Sequence, residues 1–112
     1  MPETQLLPAA AGRSALVTGA AGGIGRAIVA LFRAAGMNVA AADLGKLDPP
    51  APDYLPIVMD ATDEDAVRAG VGAAAARFGK LDAVVHAVGK VGVGTLQTQS
   101  LADWRRVMDV NL

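Results

Sequence analysis

Residues Thr18-Gly19-Ala20-Ala21-Gly22-Gly23-Ile24-Gly25 restrict the fold more than any other stretch of this chain. The apolar run Ala15-Leu16-Val17 leads into them and a helical pattern leads out. Strand, glycine turn and helix, in that order, form the context in which a turn can bind a dinucleotide phosphate. The first N–H groups of a helix have no partner inside the helix and carry partial positive charge. An anionic diphosphate satisfies them where no side chain blocks its approach. Glycine keeps that approach open and adopts the positive φ of a tight turn.

The glycines at 19, 23 and 25 follow Thr18 in the spacing T-G-x-x-x-G-x-G, not the G-x-G-x-x-G of the usual dinucleotide fingerprint. A P-loop is excluded, because Arg26-Ala27 occupies the positions where Lys-Ser/Thr would follow the last glycine. The competing reading is a bare glycine turn between a strand and a helix, so the flanking chain has to decide. The first strand is expected over about Ser14–Thr18 and the first helix over about Gly23–Ala35. Ile24, Ala27, Ile28, Leu31 and Phe32 follow the i, i+3, i+4, i+7, i+8 stripe of a half-buried helix, and Gly36 suits its C-terminal cap.

The second strand, Met37–Asp43, is apolar on both parities until its last residue. Such runs belong in a parallel sheet covered on both faces. Asp43 closes the strand eighteen positions after Gly25. Ribose recognition needs a carboxylate about 20 residues past the glycine turn, at the carboxyl end of the next strand. A carboxylate there accepts hydrogen bonds from the ribose hydroxyls and repels a 2′-phosphate. Neither Leu44 nor the interior of the glycine turn offers that phosphate a cation. NAD is therefore expected in preference to NADP.

Pro49, Pro50 and Pro52 make residues 44–53 a loop. A third strand follows over about Tyr54–Asp60, and Pro56 within it, unable to donate to a ladder, assigns it to a sheet edge. Thr62 with Asp65 reads as the box that opens a second helix, whose stripe is Val67, Val71, Ala74 and Phe78. Asp63, Glu64 and Asp65 at its start and Arg77 and Lys80 at its end suit the helix dipole. The fourth strand is Leu81–Ala87, and after a glycine-bearing loop Ser100 with Asp103 starts a third helix. Strands alternating with helices predict an α/β, doubly wound parallel sheet of the Rossmann type, partial, in the order 3-2-1-4 with helices on both faces.

Composition closes several other routes. The net charge of −1 makes no electrostatic case for nucleic acid or an anionic membrane. With no cysteine and one histidine, a thiolate site, a disulfide and a metal centre are not expected. Met1–Gly12 lacks the pattern of a signal peptide, and no apolar run reaches the ~18 residues of a membrane span, so a cytoplasmic location is expected.

From Ser14 to Leu112 the chain resembles the short-chain dehydrogenase/reductase family. The resemblance rests on the T-G-x-x-x-G-x-G turn, Asp43, Asp60 after the third strand and the ending Asp109-Val110-Asn111-Leu112. It implies that Gly19, Gly23, Ile24 and Gly25 line the pyrophosphate of NAD, that Asp43 holds the adenosine ribose, and that Asp60 and Ala61 meet the adenine. Many members carry N-N-A-G after the fourth strand. Here the segment is His86-Ala87-Val88-Gly89, so only the glycine matches, and Ala87 and Gly89 are expected against the cofactor. His86 is read as a partner-bonded structural residue and not as a catalyst. Asn111 corresponds to the family's catalytic Asn. It follows Leu101, Trp104 and Met108 along one apolar helix face, where a polar group without a hydrogen bond costs about 1–3 kcal/mol.

Family chemistry also requires a Ser and a Tyr-x-x-x-Lys, the Tyr handling the proton and the Lys lowering its pKa. The single tyrosine, Tyr54, has Val58 four positions on. The resemblance thus implies the N-terminal part of an NAD-dependent oxidoreductase. The whole enzyme would move a hydride between NAD and a hydroxyl or carbonyl carbon of a small alcohol or ketone, and would assemble as a homo-oligomer. The expected layout is a flexible leader over 1–12 and an NAD-binding half-domain over 13–112 that ends before the Tyr/Lys segment. The fourth strand would then be an open edge, so the isolated chain is expected to be marginally stable and inactive. Two other readings remain: a non-catalytic nucleotide-binding module, and a different Rossmann enzyme such as a methyltransferase with an adenosyl cofactor.

Overall fold

The computed structural model describes residues 8–90, 92 and 94–112. Four strands, β1 (Ser14–Thr18), β2 (Asn38–Asp43), β3 (Tyr54–Val58) and β4 (Ala83–His86), alternate with α1 (Gly23–Ala34), α2 (Glu64–Phe78) and α3 (Leu101–Asn111). The strands form one parallel sheet in the order β3-β2-β1-β4. This is the predicted order, with the Pro56 strand at an edge. Most of the leader lies outside the described residues. Its described end makes a 3-10 turn at Pro8–Ala10 and is tied to the sheet layer by the Gly12 N–H donating to the Gly36 carbonyl at 2.9 Å.

The two parities of the central strands feed two cores. Ala15, Val17, Val39 and Ala41 face α1 with Val29, Ile28 and Phe32, whereas Leu16, Ala40 and Ala42 face α2 with Ala74, Val67 and Phe78. Burial on both faces explains why the interiors of β1 (Ala15–Val17) and β2 (Val39–Ala42) are apolar on both parities.

The helix stripes depart from expectation, and glycine contacts are the reason. On α1, Ile24 is 75% exposed and Leu31 44%, while Gly25 and Val29 are buried. The seated line is Gly25, Ile28, Val29, Phe32, rotated from the predicted one. Gly19 has φ +70°, and a Cβ on Gly25 would overlap the Gly19 carbonyl and stand 3.0 Å from the Ala20 Cα. This approach, closer than any side chain permits, sets the rotation of the helix. On α2, Gly70 and Ala74 are the buried residues, and a Cβ on Gly70 would stand 2.8 Å from the Met59 sulfur. Val71, placed on the buried stripe by the sequence, is 37% exposed.

Caps follow ordinary chemistry with one displacement. The C-terminus of α1 is a Schellman motif: the Gly36 N–H donates to the Arg33 carbonyl and the Met37 N–H to the Phe32 carbonyl, with Gly36 at φ +83°. The N-cap of α2 is Asp63, not Thr62; its carboxylate accepts from the Asp65 and Ala66 N–H groups. Thr62 is engaged with Asp60, so the next competent cap takes over. Ser100 caps α3 as expected, accepting from the Asp103 N–H at 3.1 Å.

Arg33 ties α1 to the proline-rich loop with two hydrogen bonds to Asp53, at 3.0 and 3.1 Å. These bonds hold the Asp53 carboxyl below its ordinary 3.8. A depressed carboxyl pKa stabilises fully above the ordinary value and is lost as pH falls through the folded one. The two side chains are 31% and 40% exposed, so Arg33→Met is expected to cost under about 1 kcal/mol at neutral pH. Denaturant melts should show that difference shrinking as acid titrates Asp53. Gly25→Ala is a harsher change. It is expected to lower the unfolding free energy by about 1–3 kcal/mol through overpacking, whereas Gly23→Ala, with open space around it, should not destabilise.

Candidate functional site

A cleft of about 650 Å³ lies at the carboxyl ends of the four strands, the position where open α/β sheets take ligands. Thr18, Gly19 and Gly22 line it from the end of β1, Asp43 from the end of β2, and Asp60 and Ala61 from the end of β3. Ala87, Gly89 and Lys90 line it from the end of β4.

At the glycine turn, Gly22 is the N-cap of α1 and makes no side-chain cap bond. The Gly22 N–H donates to the Gly19 carbonyl at 3.1 Å, and the first helical bond is from the Arg26 N–H to the Gly22 carbonyl. Among the described residues no hydrogen bond engages the N–H groups of Gly23, Ile24 and Gly25. Their side-chain positions do not line the cleft; what these residues offer is backbone donors and, at Gly25, close packing.

Asp43 is half-buried and braces the turn. Its carboxylate accepts from the Ala21 N–H at 3.0 Å and from the Gly45 N–H at 2.7 Å. A carboxylate has about four acceptor positions, so two remain for hydroxyl donors. Asp60 is exposed and accepts from both the N–H and the hydroxyl of Thr62, at 2.9 and 2.7 Å. Those bonds hold its carboxyl below the ordinary 3.8, with the positive charge of Arg106 adding to the effect.

The β4 side is built differently from the family's amide-rich segment. Thr18 Oγ1 lies 2.7 Å from His86 Nδ1, and the Ala87 N–H donates to the Thr18 carbonyl at 3.1 Å. His86 is thus partner-bonded, as the sequence suggested. A Cβ on Gly19 would stand 2.5 Å from the Ala87 carbonyl oxygen, which explains glycine there besides its positive φ. Asn111 does not line the cleft. Its side-chain amide donates to the Lys90 carbonyl at 2.7 Å and accepts from the Lys90 N–H at 2.9 Å.

Sequence reasoning overlooked Lys90, Arg105 and Arg106 in the lining. The signal was present in α3: Ala102, Arg105, Arg106, Asp109 and Val110 share one helical face. The apolar series Leu101, Trp104 and Met108 is the more conspicuous one in the sequence. Leu101, Trp104 and Met108 are in fact 61%, 50% and 41% exposed.

Sheet order, glycine turn and cleft define a Rossmann-type parallel sheet with a crevice at the strand ends. A family model described as short chain dehydrogenase matches residues 13–112. D-threitol dehydrogenase of Mycolicibacterium smegmatis is 34% identical over 110 residues, covering 90% of this chain and 42% of that protein. Among solved structures, the ligand-free aldohexose dehydrogenase of Thermoplasma acidophilum superposes with a TM-score of 0.83 at 33% identity, covering 93% of this chain and 40% of that one. The 3-ketoacyl-(acyl-carrier-protein) reductase of Brucella melitensis, solved in complex with NADH, gives 0.81 at 27% identity, covering 92% and 46%. The chain belongs to the short-chain dehydrogenase family. It spans under half the length of these relatives.

The Thr18–His86 bond carries a testable consequence. Thr18 is only 7% exposed, so His86→Ala, which removes the partner of its hydroxyl, is expected to cost about 1–3 kcal/mol in denaturant unfolding. His86→Asn keeps an acceptor within reach and should recover most of that loss.

Proposed function

We propose that this chain is the cofactor-binding portion of an NAD(P)-dependent oxidoreductase, with NAD preferred. The observation that carries the reading is the uncapped start of α1, where backbone donors converge beside a turn in which the side-chain space of Gly19 and Gly25 is filled by backbone. A diphosphate fits that chemistry, because it supplies the missing acceptors without requiring a side chain to move. Gly19, Gly23, Ile24 and Gly25 bind it through the backbone. Asp60 and Ala61 border the adenine, and Ala87 and Gly89 form the wall below the nicotinamide half.

Asp43 selects the sugar. Its two bonds to the Ala21 and Gly45 N–H groups fix the carboxylate's orientation, and its remaining lone pairs accept from the ribose hydroxyls. A 2′-phosphate at the same place would meet the carboxylate's charge. The bound nicotinamide supplies the hydride chemistry. Asn111, fixed to the Lys90 backbone, takes the position of the family's catalytic Asn. In the whole enzyme the substrate is a small alcohol or ketone, and the assembly is a cytoplasmic homo-oligomer.

Titration of NADH and NADPH against this chain, followed by cofactor fluorescence, tests the reading. Asp43→Ser is expected to move the ratio of the two affinities toward NADPH by about tenfold, a change of about 1.4 kcal/mol. An unchanged ratio would remove Asp43 from the selectivity role. Binding of an adenosyl methyl donor in place of NADH would favour a methyltransferase.

A further inference from the structure

Helix α3 presents charged side chains to the cleft. Ala102, Arg105, Arg106, Asp109 and Val110 line the cleft, and their spacing puts them along one side of the helix. The large apolar residues Leu101, Trp104 and Met108 are left open, and no residue of α3 is buried. The half-buried residues of α3 are Val107 and Val110, and the two arginines reach past them into the open part of the cleft.

The two arginines also differ from those of α1. Arg33 is committed to Asp53, and Arg26 donates to the Ala21 and Lys46 carbonyls. Among the described residues, Arg105 and Arg106 make neither an ion pair nor a side-chain hydrogen bond. Two adjacent guanidiniums on the same cleft repel each other, and an anion held between them and the glycine turn relieves that repulsion. Asp109 shares this face and the Arg106 charge acts on Asp60, but among the described residues no carboxylate of the cleft is ion-paired with either arginine: Asp43 is bonded to two backbone N–H groups and Asp60 to Thr62.

We propose that Arg105 and Arg106 form the cationic wall of the cleft and hold the dinucleotide diphosphate from the side opposite the glycine turn. The inference rests on the nucleotide reading above. It adds the two guanidiniums of α3 to Lys90 as the cations of the cleft, since the glycine turn itself contributes only backbone dipoles. Guanidinium groups suit the task because they are permanently charged and present several N–H donors to phosphate oxygens.

NADH binding to the complete chain, measured by fluorescence titration at low and at raised salt, decides the matter. The double variant R105A/R106A is expected to bind NADH about tenfold more weakly at low salt. It should also show less salt dependence than the wild type, because exposed charge attraction is what salt screens. R105K/R106K, which keeps the charges, should stay much closer to the wild type. Both side chains are on an exposed face, so melting temperatures should match; should the double variant melt early, R106A alone gives the same reading with a smaller change. Wild-type affinity and salt dependence in the alanine variants overturn the proposal, as does a lysine variant as weak as the alanine one. A wild-type chain that binds no dinucleotide at all overturns the proposed function and this inference together. Tight wild-type binding that the alanine variants leave intact overturns this inference alone.

Discussion

The contact on which the rest depends is the seating of Gly25 against the Gly19 carbonyl. Backbone packs on backbone there, with no Cβ between. The first turn of α1 consequently lies tight against the end of β1, and its free N–H groups open beside the strand ends, where the cleft begins. The same contact fixes the rotation of α1, which determines that Val29, Ile28 and Phe32 enter the core. From one glycine pair, packing and the electrostatics of the cleft are set together. Helix-start donors are useful only if they point at a place a ligand can reach, and here the close approach provides the aim.

Around this contact the structure repeatedly uses one group for two tasks. Asp43 braces the turn through the Ala21 and Gly45 N–H groups while presenting its other lone pairs to the cleft. Thr18 belongs to the β1–β4 ladder and lines the cleft, with its hydroxyl anchored on His86. Rigidity at such residues is part of binding, because a group already held in place loses little freedom when a ligand arrives. The carboxylates of Asp43 and Asp60 sit on the β2–β3 side, and the guanidiniums sit on α3.

Much of this was legible in the sequence, for identifiable reasons. The bounds of β1, the position of β3 at an edge and the Gly36 cap follow from local chemistry: an apolar run on both parities, a proline without a donor, a glycine at positive φ. What failed was tertiary. Hydrophobic periodicity placed Ile24 and Leu31 inward, but a backbone contact with no apolar signature rotated α1 away from them. The α2 cap moved by one residue because Thr62 and Asp63 are both competent and Asp60 competes for the threonine. On α3 the apolar series was more conspicuous than the charged one, yet the charged one faces the cleft. The pairing of His86 with Thr18 became visible only once β4 lay beside β1; in sequence the two are 68 positions apart.

Asn111 has a mechanical corollary. Its side chain grips both polar groups of a single residue, Lys90, just beyond the strand end that borders the cleft. Two bonds made by one amide to the N–H and C=O of one residue resist sliding but tolerate tilting, so the joint behaves as a pivot. Since α3 has no buried side chain to anchor it, the swing of that helix about its own C-terminal end is governed there. A force drawing the middle of the helix inward would then reach the β4 terminus as torque rather than as displacement.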